Sequence, residues 1–141
     1  MNEAETRAEP ISAIRIDPER LDYWYLQLNG FLQIENFVVH PRSNGGQRTD
    51  ADLIGVRFPH RAERLFDNPD DSMEDDSGTL RLFADKIDVV IAEMKTGRCA
   101  LNGPWNNEEG RNTHRVLAAI GCVPQAKIEP AAAASLRAGL L

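Results

Sequence analysis

Glu93 and Lys95 stand two residues apart at the end of an apolar run, Ile87-Asp88-Val89-Val90-Ile91-Ala92. In a strand, side chains at i and i+2 share a face, so a carboxylate and an ammonium emerge there side by side. Burying such groups is costly unless they are paired or bind a metal. A strand-end salt bridge satisfies that demand, and so does a charged site that does chemistry. Asp50 and Asp52 precede a second apolar run, Leu53-Ile54-Gly55-Val56-Arg57-Phe58. Neighbouring strands lie about 5 Å apart, so acids far apart in sequence can meet across a sheet. One Asp, one Glu, the backbone carbonyl of Met94 and water would meet the all-oxygen, near-octahedral preference of Mg²⁺.

An acid-Leu-Ile strand start followed by an apolar strand ending Glu-x-Lys resembles the PD-(D/E)XK nuclease superfamily. Its restriction-endonuclease-like and Holliday-junction-resolvase-like branches come nearest. The resemblance covers roughly residues 17–120. It implies an α/β fold with an αβββα(β) core, a mixed sheet flanked by helices. It implies Asp52, Glu93 and Lys95 as catalytic residues, with Asp52, Glu93 and the Met94 carbonyl holding Mg²⁺ or Mn²⁺. The activity implied is metal-dependent phosphodiester hydrolysis of DNA, with the lysine positioning water and offsetting charge on the transition state. The alternative is a catalytically inactive nuclease-like domain that binds nucleic acid or protein.

The family often adds an acid from its first helix, and Glu19 is the candidate here; a charge capping the first turn explains Glu19 equally well. Asp50, two residues from Asp52, is the candidate for an acid supporting the ligands from behind. Arg42, Arg48 and Arg111 are candidate phosphate contacts, against the plainer reading of solvated arginines. Trp105 can line a cleft or fill a core. His40, His60 and His114 lack metal-ligand spacing and read as surface or hydrogen-bonded histidines.

These residues need elements to hold them. Residues 1–16 read as a flexible arm and 17–123 as the nuclease-like domain. Within it, the segment 67–79 reads as a solvated, mobile acidic insertion, and 124–141 as an alanine-rich terminal helix. Asp17-Pro18-Glu19 is a helix start, with Asp at the N-cap and Pro at the first turn. Leu21, Trp24, Tyr25 and Leu28 follow at helical spacing, with Tyr23, Trp24 and Tyr25 read as core and interface rather than a base-stacking platform, and Asn29-Gly30 stops the helix. Residues 31–40 form a first strand joined to the Asp52 strand as an antiparallel hairpin. Residues 87–95 form a third strand, expected in the sheet interior because its apolar run suits burial on both faces. A helix capped by Asn106 or Asn107, carrying Glu108 and Glu109, is expected to end at Gly121. One departure from the family stands out. The closing strand has no good counterpart, because Gly121-Cys122-Val123-Pro124 is short and broken by proline. That leaves a truncated segment, or an edge covered by a second copy or a partner chain.

Composition sets outer bounds. The 141 residues are 42% hydrophobic and 27% charged, which suits one globular domain. No apolar run reaches the ~18 residues of a membrane helix, and the polar, acidic N-terminus does not resemble a signal peptide. Cys99 and Cys122 lack CxxC spacing and read as reduced thiols of a cytoplasmic protein. The net charge of −6 weighs against a sequence-independent polyanion binder. Six of the acids, however, fall between Asp67 and Asp76.

Overall fold

The computed structural model describes residues 17–40, 49–62, 68, 73–95, 97, 103–106 and 111–138. Helix α1 spans Pro18–Leu28. It ends where expected: Gly30 takes φ +81, and its N–H donates to the Gln27 carbonyl. Strands β1 (Leu32–Val39) and β2 (Thr49–Arg57) form the expected antiparallel hairpin. A single turn, α2 (Ser77–Leu80), precedes β3 (Asp88–Ala92). The short α3 (Gly103–Asn106) and α4 (Asn112–Ile120) follow, and then a 3-10 turn leads into α5 (Ile128–Ala138). Gly121 closes α4 at φ 73 with its N–H on the Leu117 carbonyl.

Among the described residues the strands form one antiparallel sheet in the order β1-β2-β3. This corrects two expectations. The sheet is antiparallel throughout, not mixed, and β3 lies at its edge, not inside it. β2 holds the centre, and burial follows: Ala51, Leu53, Ile54 and Gly55 are buried there, whereas every β3 residue is only partly covered. The small residues Ala51 and Gly55 fit that position. A Cβ at Gly55 would come within 3.0 Å of the Phe31 ring.

Each face of the sheet carries a core. On one side Leu26 of α1 packs with Phe31 and Leu53, joined by Tyr23, Tyr25, Val90 and Ala92. On the other, Trp105 and Val116 pack with Val39, Ala51 and Ile54, joined by Phe37 and Ile91. Trp105 is therefore core, one of the two expected roles. Helix α1 is turned differently from the expected stripe. Leu21, Trp24 and Leu28 are more than half exposed, and Leu26 and Asn29 are buried. The cause is polar. Asn29 Nδ2 donates to the Tyr25 carbonyl, and Asn29 Oδ1 accepts the Asp76 N–H. A buried amide so bonded fixes the helix's rotation.

The described half of the acidic segment is fastened, not loose. Asp75 accepts from Arg57 Nη2 at 2.8 Å and from Arg61 Nη1 at 2.5 Å. The Tyr25 hydroxyl donates to Asp76 at 2.6 Å, and Asp76 caps α2 through the Thr79 N–H. The arm 1–16 and the rest of that segment, residues 67 and 69–72, lie outside the described residues.

Candidate active site

The site is assembled where β2 and β3 part. The β2·β3 register runs from Arg57↔Asp88 to Leu53↔Ala92. Asp52 and Glu93 are each the next residue along, so the pairing that builds the sheet brings both acids to its end. Beyond Ala92 the chain leaves the ladder, and Asp52 takes over the pairing: its Oδ2 accepts the Met94 N–H at 2.9 Å. A carboxylate has about four lone-pair positions, so this bond leaves most of its acceptor capacity in place.

Glu93 and Lys95 flank that amide. The Glu93 side chain is 6% exposed and its Oε2 lies 3.6 Å from the Lys95 Nζ, which is 26% exposed. The expected side-by-side emergence of carboxylate and ammonium is present. It falls in the exit from β3, because the strand ends at Ala92. Asp52 also lines a small pocket of about 50 Å³ with Asp17, Arg20, Tyr23, Glu35, Asn36, Leu53 and Met94. Arg20 lies 3.8 Å from Glu35 and stacks over the Tyr23 ring.

The remaining candidates distribute unevenly. Asp50 pairs with Val38 across the hairpin and does not line the Asp52 pocket. Glu19 sits in the first turn of α1, but its side chain is not among those described. Arg42 and Arg48 fall outside the described residues as well. Arg111 caps α4 in a left-handed conformation, φ 50, and its guanidinium pairs with Glu129 of α5. That ion pair gives Arg111 a structural task between the two helices. His114 also approaches Glu129, at 3.2 Å. The helix expected to carry Glu108 and Glu109 is resolved here as α3 and α4, and residues 107–110 between them are not described.

Asn36 was not read from the sequence as a site residue, yet it lies in the pocket beside Asp52. The available signal was weak: a polar amide inside a strand, where Asn is depleted, and of a type that tolerates positive φ.

The donor set is entirely oxygen. Among the described residues no group of three or more His, Cys, Asp or Glu side chains is placed to hold an ion. A pair of carboxylates with a carbonyl and water is the arrangement Mg²⁺ favours, since it keeps several waters and takes one or two carboxylates. By chemistry alone, oxygen donors of this kind suit magnesium better than a softer metal. No family model, curated protein or solved structure matches this chain.

Proposed function

We propose that this protein is a Mg²⁺-dependent phosphodiesterase acting on DNA, with Asp52, Glu93 and Lys95 as its catalytic residues. One observation carries the reading. The Asp52 carboxylate accepts the Met94 N–H at 2.9 Å, which ties an acid of the central strand to the middle of a Glu-x-Lys segment. A bland strand-end salt bridge accounts for Glu93 and Lys95, but it has no use for Asp52.

In this reading Asp52, Glu93 and the Met94 carbonyl hold the ion. A bound divalent ion would polarise the phosphoryl oxygen and lower the pKa of an attacking water. The chain's own residues do the rest. The Met94 amide fixes the Asp52 carboxylate, so little rearrangement is needed on binding. Lys95 keeps its ammonium near Glu93 by a charge contact, in a partly desolvated position where its field is strong. From there it orients water and offsets charge developing on the phosphate.

The acidic balance has a spatial answer. Asp75 is neutralised by Arg57, the last residue of β2, and by Arg61 beyond it. Arg57 stands five positions from Asp52 along the strand, about 17 Å away. The second reading, a nuclease-like binding domain without turnover, is favoured by the edge position of β3 among the described residues.

Plasmid cleavage separates the two. Supercoiled DNA should be nicked or linearised with Mg²⁺ or Mn²⁺ and left intact with EDTA. Lys95→Ala should lower the rate by roughly 10²–10³-fold. Intact plasmid at every metal concentration, from protein that binds the metal, would leave only the binding reading.

A further inference from the structure

We propose that Asn36 is a positioning residue whose left-handed backbone inverts the pleat of the β1–β2 hairpin and so frees the Asp52 carboxylate to hold Met94. The inference rests on the reading of Asp52 as a metal ligand.

In an unbroken strand, residues two apart face the same side. On β1, Gln33 donates to the Tyr23 carbonyl of α1 and Glu35 meets Arg20 of α1. Phe31 packs on the same side. Phe37 and Val39 should follow them, but both pack in the opposite core with Trp105 and Val116. On β2, Leu53 lies on the α1 side, and the Gly55 Cβ position points at Phe31. Ala51 should follow, but it too packs in the opposite core. Both strands therefore switch faces, and they do so at Asn36 and Asp52.

The register locates the cause. Pairs run from Leu32↔Val56 to Glu35↔Leu53 and resume at Phe37↔Ala51 without a shift. Asn36 and Asp52 are the opposed residues between them, and no residue is inserted. This is therefore not a bulge, which would place two residues opposite one. Asn36 has φ 52, and Asp52 is not among the positive-φ residues. The Asn36 side chain is exposed, so its burial does not account for the strained backbone. What the inversion achieves is local: Asp52 leaves the regular alternation at the one position where its carboxylate reaches the Met94 N–H. Strained residues that persist beside a site are the expected signature of preorganisation.

The test uses Asn36→Gly, Asn36→Ala and Asn36→Val in the full chain. Two readouts apply: Mn²⁺ affinity by calorimetry, and hydrogen-exchange protection of the Met94 amide without metal. Glycine adopts positive φ freely, so Asn36→Gly should match the wild type in both. Asn36→Ala and Asn36→Val should weaken Mn²⁺ binding roughly five- to thirtyfold and strip protection from Met94. If Asn36→Val does not fold, Asn36→Ala decides. Folded Asn36→Ala with wild-type affinity and protection overturns the proposal, as does Asn36→Gly behaving like Asn36→Val. Should the wild type bind no Mn²⁺, the metal reading fails, and the Met94 protection series still judges the role of Asn36.

Discussion

The bond from the Met94 N–H to Asp52 decides which substitution at position 52 is informative. Asp52→Ala would strand a partly buried amide donor and cost on the order of 1 kcal/mol for reasons unrelated to metal. Asp52→Asn keeps an oxygen acceptor for that amide and removes only the charge. It should therefore fold, yet lack the rise in melting temperature with Mg²⁺ that the proposed site predicts for the wild type. That rise corresponds to about 2.7 kcal/mol at a hundred times Kd, because only the folded state presents both carboxylates. Glu93→Gln should behave alike. Thermal unfolding across a Mg²⁺ series checks this, and an unchanged magnesium response in both variants would remove Asp52 and Glu93 from the metal site. Lys95→Ala should separate from them, keeping the thermal response and losing cleavage. The placement of these three residues beside one another was legible from the Asp-Leu-Ile and Glu-x-Lys spacings, because the two strands pair in register and Glu93 and Lys95 emerge together. Asn36 was not legible in the same way. A single positive φ leaves only a faint mark on residue type.

At the scale of elements, local signals worked where local physics decides. The Asp17-Pro18-Glu19 start and Asn29-Gly30 stop bracket α1, and Gly121 ends α4, because caps depend on neighbouring residues alone. Rotation of α1 depends on Asn29 and Asp76, which are 47 positions apart, and helical spacing could not reveal it. The same kind of distant bond fastens residues 75–76, in the described part of the segment expected to be loose. Burial raises the Asp75 carboxyl, but the Arg61 and Arg57 hydrogen bonds and charges outweigh it and hold its pKa below the usual value. The Tyr25 hydroxyl, followed by the Thr79 amide, lowers Asp76 in the same direction. A depressed carboxyl stabilises the fold above its unfolded pKa of about 3.9 and loses that contribution as pH falls through the folded value. Asp75→Asn should therefore cost about 1–3 kcal/mol at neutral pH and flatten the acid limb of stability below about pH 4. Urea unfolding at a series of pH values checks both. An acid limb of unchanged steepness would show that the latch is not what acid releases.

Across the whole molecule, the misjudged strand order has a simple origin. A continuous apolar run suits any strand covered on both faces, whether it is central or at an edge. β3 is covered by Leu26 and Tyr25 on one side and by the Trp105 cluster on the other, yet it borders β2 alone among the described residues. Small residues at positions 51 and 55 were the better sign of the central strand. No helix among the described residues is long and apolar enough to cross a membrane. Charge is arranged along β2 and β3, with Asp75 answered by arginines at the end of β2 and Asp52, Glu93 and Lys95 gathered where β3 ends. The proposed function therefore turns on whether the acids at the end of β3 share one ion. A crystal structure determined with Mn²⁺, read by the metal's anomalous signal, tests this most directly. One peak is expected, contacted by Asp52 and Glu93 at about 2.1–2.2 Å, their carboxyl oxygens within about 4–5 Å of each other. A saturating Mn²⁺ soak with no peak there, or with the two carboxyls too far apart to share an ion, would contradict it.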